Sequence, residues 1–148
     1  MADILITGGT IVTMDPNRRV IDDGAIALEA DRIVAVGPRK EVESNYKSDR
    51  IIDAAKNVIL PGLIDGHGHA GHALVKTIGH GPTGMWGDIV DYVYAEGTDE
   101  EFWYADALLS SVDRLKNGTT CGVTYLGGGT MIMRTNKPVY ADKHCDAV

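Results

Sequence analysis

The run Leu60-Pro61-Gly62-Leu63-Ile64-Asp65-Gly66-His67-Gly68-His69 constrains this chain more than any other stretch. It reads as a short buried strand, entered through a Pro-Gly corner and ending in two histidines. Side chains alternate between the faces of a strand, so Asp65, His67 and His69 are expected to point the same way. Two imidazoles two residues apart on one face can grip a single metal ion, and neutral imidazole is the commonest protein ligand for zinc and its neighbours. Gly66 and Gly68, which alternate with Asp65, His67 and His69, let backbone or a ligand approach closely. A bare His-X-His is a weak sign by itself, because a glycine-rich loop can carry two histidines that bind nothing. The surrounding chain has to decide.

Composition narrows the classes. A length of 148 residues suggests one domain by itself. The formal net charge is -7 with no basic run, which argues against a nucleic acid partner and against an anionic membrane surface. No apolar stretch approaches the roughly 20 residues that span a bilayer. Met1-Ala2-Asp3 lacks the regions of a signal peptide. The two cysteines, Cys121 and Cys145, are too few for a disulfide framework. A cytoplasmic protein with reduced thiols is expected.

From Asp3 to Pro61 short strand patterns alternate with turns. Ile4 to Thr7, Thr10 to Met14, Ala25 to Glu29, Arg32 to Val36, Arg50 to Asp53 and Asn57 to Leu60 are candidate strands, with one helical turn over Glu41 to Tyr46. This pattern predicts a small β-sandwich over residues 1–60, without the side chains of an active site. After His69 the character changes. Gly71 to Gly84 is loop-like, and Met85 to Tyr94 reads as a short amphipathic helix. Thr98-Asp99-Glu100-Glu101 fits a capping box with the Thr98 hydroxyl as cap. Ala105, Leu108, Leu109, Val112 and Leu115 then give an apolar helix face, and Asn117-Gly118 is a stop. Thr119 to Leu126 reads as a second buried strand, with Cys121 in the core, and a last helix begins near Pro138. His144 and Cys145 fall on that helix and read as structural. The βα alternation over residues 61–148 is that of a parallel sheet, so the class is α/β.

Pro61-Gly62-Leu63-Ile64-Asp65-Gly66-His67-Gly68-His69 resembles the signature that opens the catalytic barrel of the amidohydrolase superfamily. Gly9 to Asp15, Gly24 to Leu28 and Asp31 to Gly37 look like that superfamily's amino-terminal strands. Thr13-Met14-Asp15 with Arg18-Arg19-Val20 is most similar to the branch holding cytosine and guanine deaminases, adenosyl-homocysteine deaminases and s-triazine hydrolases. The resemblance implies β-sandwich strands followed by the first two βα units of a (β/α)₈ barrel, incomplete in this chain, since a whole barrel takes about 250 residues.

It also implies a divalent metal, zinc foremost with iron or manganese as alternatives, at the carboxyl-terminal mouth of the barrel, with His67 and His69 as ligands. The other family ligands come from later strands. The reaction implied is hydrolysis of a C–N or C–halide bond, deaminating or dechlorinating a small nitrogen heterocycle with metal-activated water. Cyclic amide hydrolysis is one alternative, and a non-catalytic assembly or metal-binding fragment is another. A complementary chain carrying the rest of the barrel, and an oligomeric particle, are expected. Asp65 either orients a histidine or the strand end, or caps local amides. His72 is a substrate contact or a surface loop residue, as is His80. Trp86 either walls the substrate pocket or anchors its helix. Gly127-Gly128-Gly129 follows a strand like a phosphate loop but lacks the spacing and the Lys-Ser/Thr of one.

Overall fold

The computed structural model describes residues 1–78, 86–95, 97–126, 136 and 138–148, without the side chains of residues 71, 86, 89, 90 and 95. The chain folds as two compact units, Met1–Pro61 and Gly62–Val148. Among the described residues no helix is long and apolar enough to cross a membrane.

The first unit is a five-stranded sheet ordered β3-β2-β1-β4, with β5 also on β1. Its strands are β1 (Ile4–Val12), β2 (Val20–Glu29), β3 (Arg32–Pro38), β4 (Ile51–Asp53) and β5 (Val58–Ile59). β1 is antiparallel to β2 and β2 to β3, while β4 and β5 pair parallel along the other edge of β1. Where the sequence suggests two strands broken at Gly8-Gly9, there is one. Gly8 takes φ 85° and the register with β2 shifts between Thr7 and Gly9, so the glycines make a bulge instead of a turn.

Helix α1 (Arg39–Asn45) covers one sheet face, its buried Val42 packing with Ala2, Leu5, Ala25 and Ala27. Small alanines on the central strand let the helix approach closely. The opposite face carries Ile11, Ile26, Ile33, Val36 and Ile59 along an open groove. The expected sandwich is therefore, among the described residues, a single sheet backed by a helix. The candidate strands of this stretch all join one sheet, which leaves none to form a facing layer.

The second unit is built on two parallel strands, β6 (Leu63–His69) and β7 (Thr119–Tyr125). Between them run a 3₁₀ turn over Ala70–His72, α2 (Trp86–Ala95) and α3 (Glu100–Lys116), and α4 (Val139–Asp146) follows. α3 is capped one residue later than the capping-box reading. Asp99, not Thr98, accepts from the amide of Phe102 at 2.9 Å. Glu100 and Glu101 lie in its first turn and Arg114 and Lys116 in its last, which suits the helix dipole.

The buried face of α3 also differs from expectation. Trp103, Asp106, Ala107 and Ser110 are buried, while Leu108, Leu109, Val112 and Leu115 are exposed. Both sets have helical spacing, and packing chose the first. Ala107 meets Ala70 and Ala147, small enough for the turn and α4 to sit directly on the helix. Leu63, Ile64 and Val123 are likewise exposed, and so is Cys121, which the strand pattern had placed in the core. The described residues put no layer over that part of the two-stranded sheet.

His144, on α4, is buried with its ring edge-on to Trp103 at 5.3 Å, and neither ring nitrogen has a partner among the described residues. Burial pushes its pKa below the ordinary 6.5. A depressed folded-state pKa contributes stability that is present above the unfolded value and lost as pH falls through the folded one. Acidification from about pH 7 to pH 5 should therefore loosen α4, read by amide hydrogen exchange. His144→Phe keeps the edge-to-face contact and should reduce that pH dependence. An unchanged profile in the variant would assign the effect to other groups.

Candidate metal centre

The two histidines stand at the carboxyl end of β6, which is not a regular strand. Asp65 pairs with Gly122 and Gly68 with Thr124, so three steps on β6 face two on β7. The extra residue is a β-bulge, and it breaks the strict alternation expected for Asp65, His67 and His69. A Cβ built on Gly68 would lie 2.7 Å from Asp65 Oδ2, so Asp65 belongs to the side of Gly68. Asp65 and Gly68 are half-buried, whereas His67 and His69 are exposed.

The Asp65 carboxylate takes two partners on its own side. Its Oδ1 accepts from the amide of His67 at 3.1 Å, a local turn bond across the bulge. Its Oδ2 lies 3.5 Å from Nε of Arg114, whose Nη1 donates to Thr124 Oγ1 at 3.0 Å. One guanidinium thus ties α3 to both strands, lying over Gly68 so closely that any side chain there would strike it.

The His67 and His69 rings are 5.3 Å apart, centroid to centroid, at 74°. Zinc–nitrogen bonds of about 2.0–2.1 Å and a tetrahedral angle would separate two ligating imidazoles by about 5 Å at their centroids. The donor pair fits one zinc ion by chemistry and by spacing. No cluster of three or more His, Cys, Asp or Glu suited to a metal occurs among the described residues.

His72, at the end of the 3₁₀ turn, is only partly exposed and lies flat on His69, 5.0 Å away at 13°. It also stacks on Tyr94 of α2 at 5.5 Å, and Tyr94 continues to Trp103 at 4.9 Å. Burial, then the neighbouring His69, lowers the pKa of His72 below 6.5 and favours the neutral ring. Tyr125 closes the other flank, 4.8 Å from His67 and 5.8 Å from His69. Beneath the turn, wholly buried Asp106 accepts from the amide of Leu74 at 2.5 Å. Burial raises its pKa, against the pull of the Leu74 and Ala73 amides.

Of the residues singled out from sequence, the structure brings His67, His69 and His72 together and places Asp65 beneath them. Trp86 heads α2, and its side chain lies outside the described residues, as do His80 and Gly127-Gly128-Gly129. Sequence reasoning passed over Tyr125, Tyr94, Trp103, Asp106 and Arg114. Tyr125 alone had a usable signal, since in-register pairing of the two strand ends sets it opposite His69. Gly68→Ala should displace the Arg114 guanidinium from Asp65 and Thr124 and destabilise the protein by about 1 kcal/mol or less, because the group that must move is the free end of a long side chain. Thermal unfolding of Gly68→Ala beside Gly66→Ala, where a Cβ meets nothing within 4 Å, would measure it. Equal losses would show that the Arg114 contact is immaterial.

No protein-family model matches the chain. It is 36% identical over 120 residues to 5-methylthioadenosine/S-adenosylhomocysteine deaminase 1 of Syntrophus aciditrophicus strain SB, covering 80% of this chain and 27% of that protein. It is 29% identical over 130 residues to the 5'-deoxyadenosine deaminase of Methanosarcina mazei, covering 88% of this chain and 27% of that one. Among solved structures, a zinc-bound adenosine deaminase from Xanthomonas campestris superposes with a TM-score of 0.74 at 24% identity, over 90% of this chain and 32% of its own. The zinc complex of atrazine chlorohydrolase from Arthrobacter aurescens TC1 gives a TM-score of 0.71 at 22% identity, over 97% of this chain and 32% of its own. These two likenesses establish the fold. The chain spans about a quarter of the length of the curated relatives it matches. The histidine-bearing strand, the sequence relatives and the shared fold agree in a resemblance to the amidohydrolase superfamily, whose members the chain matches over about a quarter to a third of their length.

Proposed function

We propose that this chain supplies the first ligand pair of a zinc-dependent hydrolase that removes an amino or halide substituent from a planar nitrogen heterocycle. The observation that carries the reading is the His67–His69 pair at the end of β6, spaced as one zinc ion requires. The names of the relatives, deaminases of adenosine-type compounds and a triazine chlorohydrolase, support the substrate class. Zinc held there would act as a Lewis acid that makes water a nucleophile at neutral pH.

The chain's own residues hold and shape this centre. His67 and His69 donate ring nitrogens. Asp65 fixes the amide of His67, and Arg114 ties the bulge to β7 and α3. Tyr125 and the turn bearing His72 flank the ligands. Catalytic zinc normally has three protein ligands and an open position, so two imidazoles require further ligands. The reading draws these, and the group that carries the proton, from the remaining strands of a (β/α)₈ barrel begun by β6 and β7. Exposed Leu63, Ile64 and Val123 on the two strands, and Leu108, Leu109, Val112 and Leu115 on α3, support a covering layer beyond this chain. A complementary chain of roughly 300 residues, by analogy with a whole barrel and returning strands, would provide it.

His67→Ala and His69→Ala should each remove stoichiometric zinc from the assembled protein and abolish release of ammonia or chloride from a purine, pyrimidine or triazine panel. Metal content by elemental analysis and product by chromatography check this. Full zinc in both variants would sink the proposal.

A further inference from the structure

We propose that Asp106 is a positioning residue for the metal centre, fixing the turn after β6 so that the His72 ring lies flat on His69 and sets the plane of that ligand. The inference rests on the reading of His67 and His69 as the zinc pair and adds a device that orients one of them.

Four observations converge on it. Asp106 is completely buried on the face of α3 that meets the 3₁₀ turn, where a carboxylate is costly to keep unless its hydrogen bonds matter. Its Oδ1 accepts from the amide of Leu74, two residues beyond His72, and the Ala73 amide also stabilises its ionised form. Oδ2 has no partner among the described residues, so the side chain is not a fully satisfied core group. Above it, His72 is nearly parallel to His69, at 13°, and to Tyr94, at 5°. A ring stacked at both of these contacts resists rotation, and it presents a flat wall to the ligand beside it.

Metal-ligating histidines are usually oriented by a hydrogen bond to their second nitrogen, and loss of such a support weakens metal binding about 10–100-fold. Here the geometry places a stacked ring against the ligand, with the turn that bears this ring anchored by a carboxylate from the neighbouring helix. Ala70 and Ala107, packed together, bring that helix near enough for the carboxylate to reach the turn.

The test uses the assembled protein loaded with zinc or with cobalt(II), whose visible spectrum reports ligand geometry. Zinc affinity is measured by competition with a chromophoric chelator for parent, His69→Ala, His72→Ala, Asp106→Ala, Asp106→Asn and the His72→Ala/Asp106→Ala double variant. His72→Ala and Asp106→Ala should each weaken zinc about tenfold and shift the cobalt bands in the same direction. The double variant should be no worse than either single, because both changes release the same ring stack. Asp106→Asn keeps an acceptor for Leu74 and should bind as the parent does. Parent-like affinity in both single variants, with His69→Ala having lost zinc, overturns the positioning role and leaves the metal reading intact. Zinc retained in His69→Ala overturns the metal reading, and this inference with it. If Asp106→Ala fails to fold, His72→Ala and Asp106→Asn decide: a tenfold loss in the first with parent affinity in the second supports the proposal, and any other pairing overturns it.

Discussion

The candidate centre depends on one irregularity, the extra residue that β6 carries between Asp65 and Gly68. A regular strand would set Asp65 beside the two histidines and add a negative charge to their face. The bulge turns the carboxylate away, where it meets the amide of His67 and the guanidinium of Arg114. The two imidazoles are left on the exposed side with no carboxylate between them, the arrangement a metal ion with further ligands to come can use. Gly66 and Gly68 accommodate the bulge differently: at Gly66 a side chain would meet open space, but at Gly68 it would strike Arg114.

Helix α3 is the second organising element, because it serves both sides of the sheet end. Arg114, in its last turn, ties down the bulge, and Asp106, two turns earlier, ties down the chain that leaves the strand. The face between them is made of small or polar residues, Ala107 and Ser110, which lets the turn and α4 lie close. Rigid helical spacing therefore fixes the distance between two anchors that would otherwise be joined only by loop. The leucines of the same helix face outward, consistent with the proposed covering layer.

The amino-terminal unit follows different physics. Its helix closes over alanines at the middle of one sheet face, and the isoleucine-rich opposite face stays open. The two units differ in what they contribute. The proposed ligand pair and the groups that anchor it lie in the second unit.

Much of this was legible in the residues before any coordinate. The strand with paired histidines, the parallel partner at Thr119 and the helix ending at Asn117-Gly118 all follow from local rules of periodicity, turns and helix stops. What local rules could not settle was choice between equivalent faces and registers. α3 carries two apolar or small faces at helical spacing, and only the fit of Ala107 against Ala70 and Ala147 selects the buried one. Asp65 obeys alternation until a bulge, created by pairing with a strand more than 50 residues away, reverses it. His72, Tyr94, Trp103 and Asp106 lie in a loop and on two helices with no shared spacing, so nothing in their order predicts the stack. Sequence determined the donor types and the strand that presents them, since these are properties of short segments. Tertiary structure decided which side each faces and what holds it there, since those depend on contacts between segments distant in the chain.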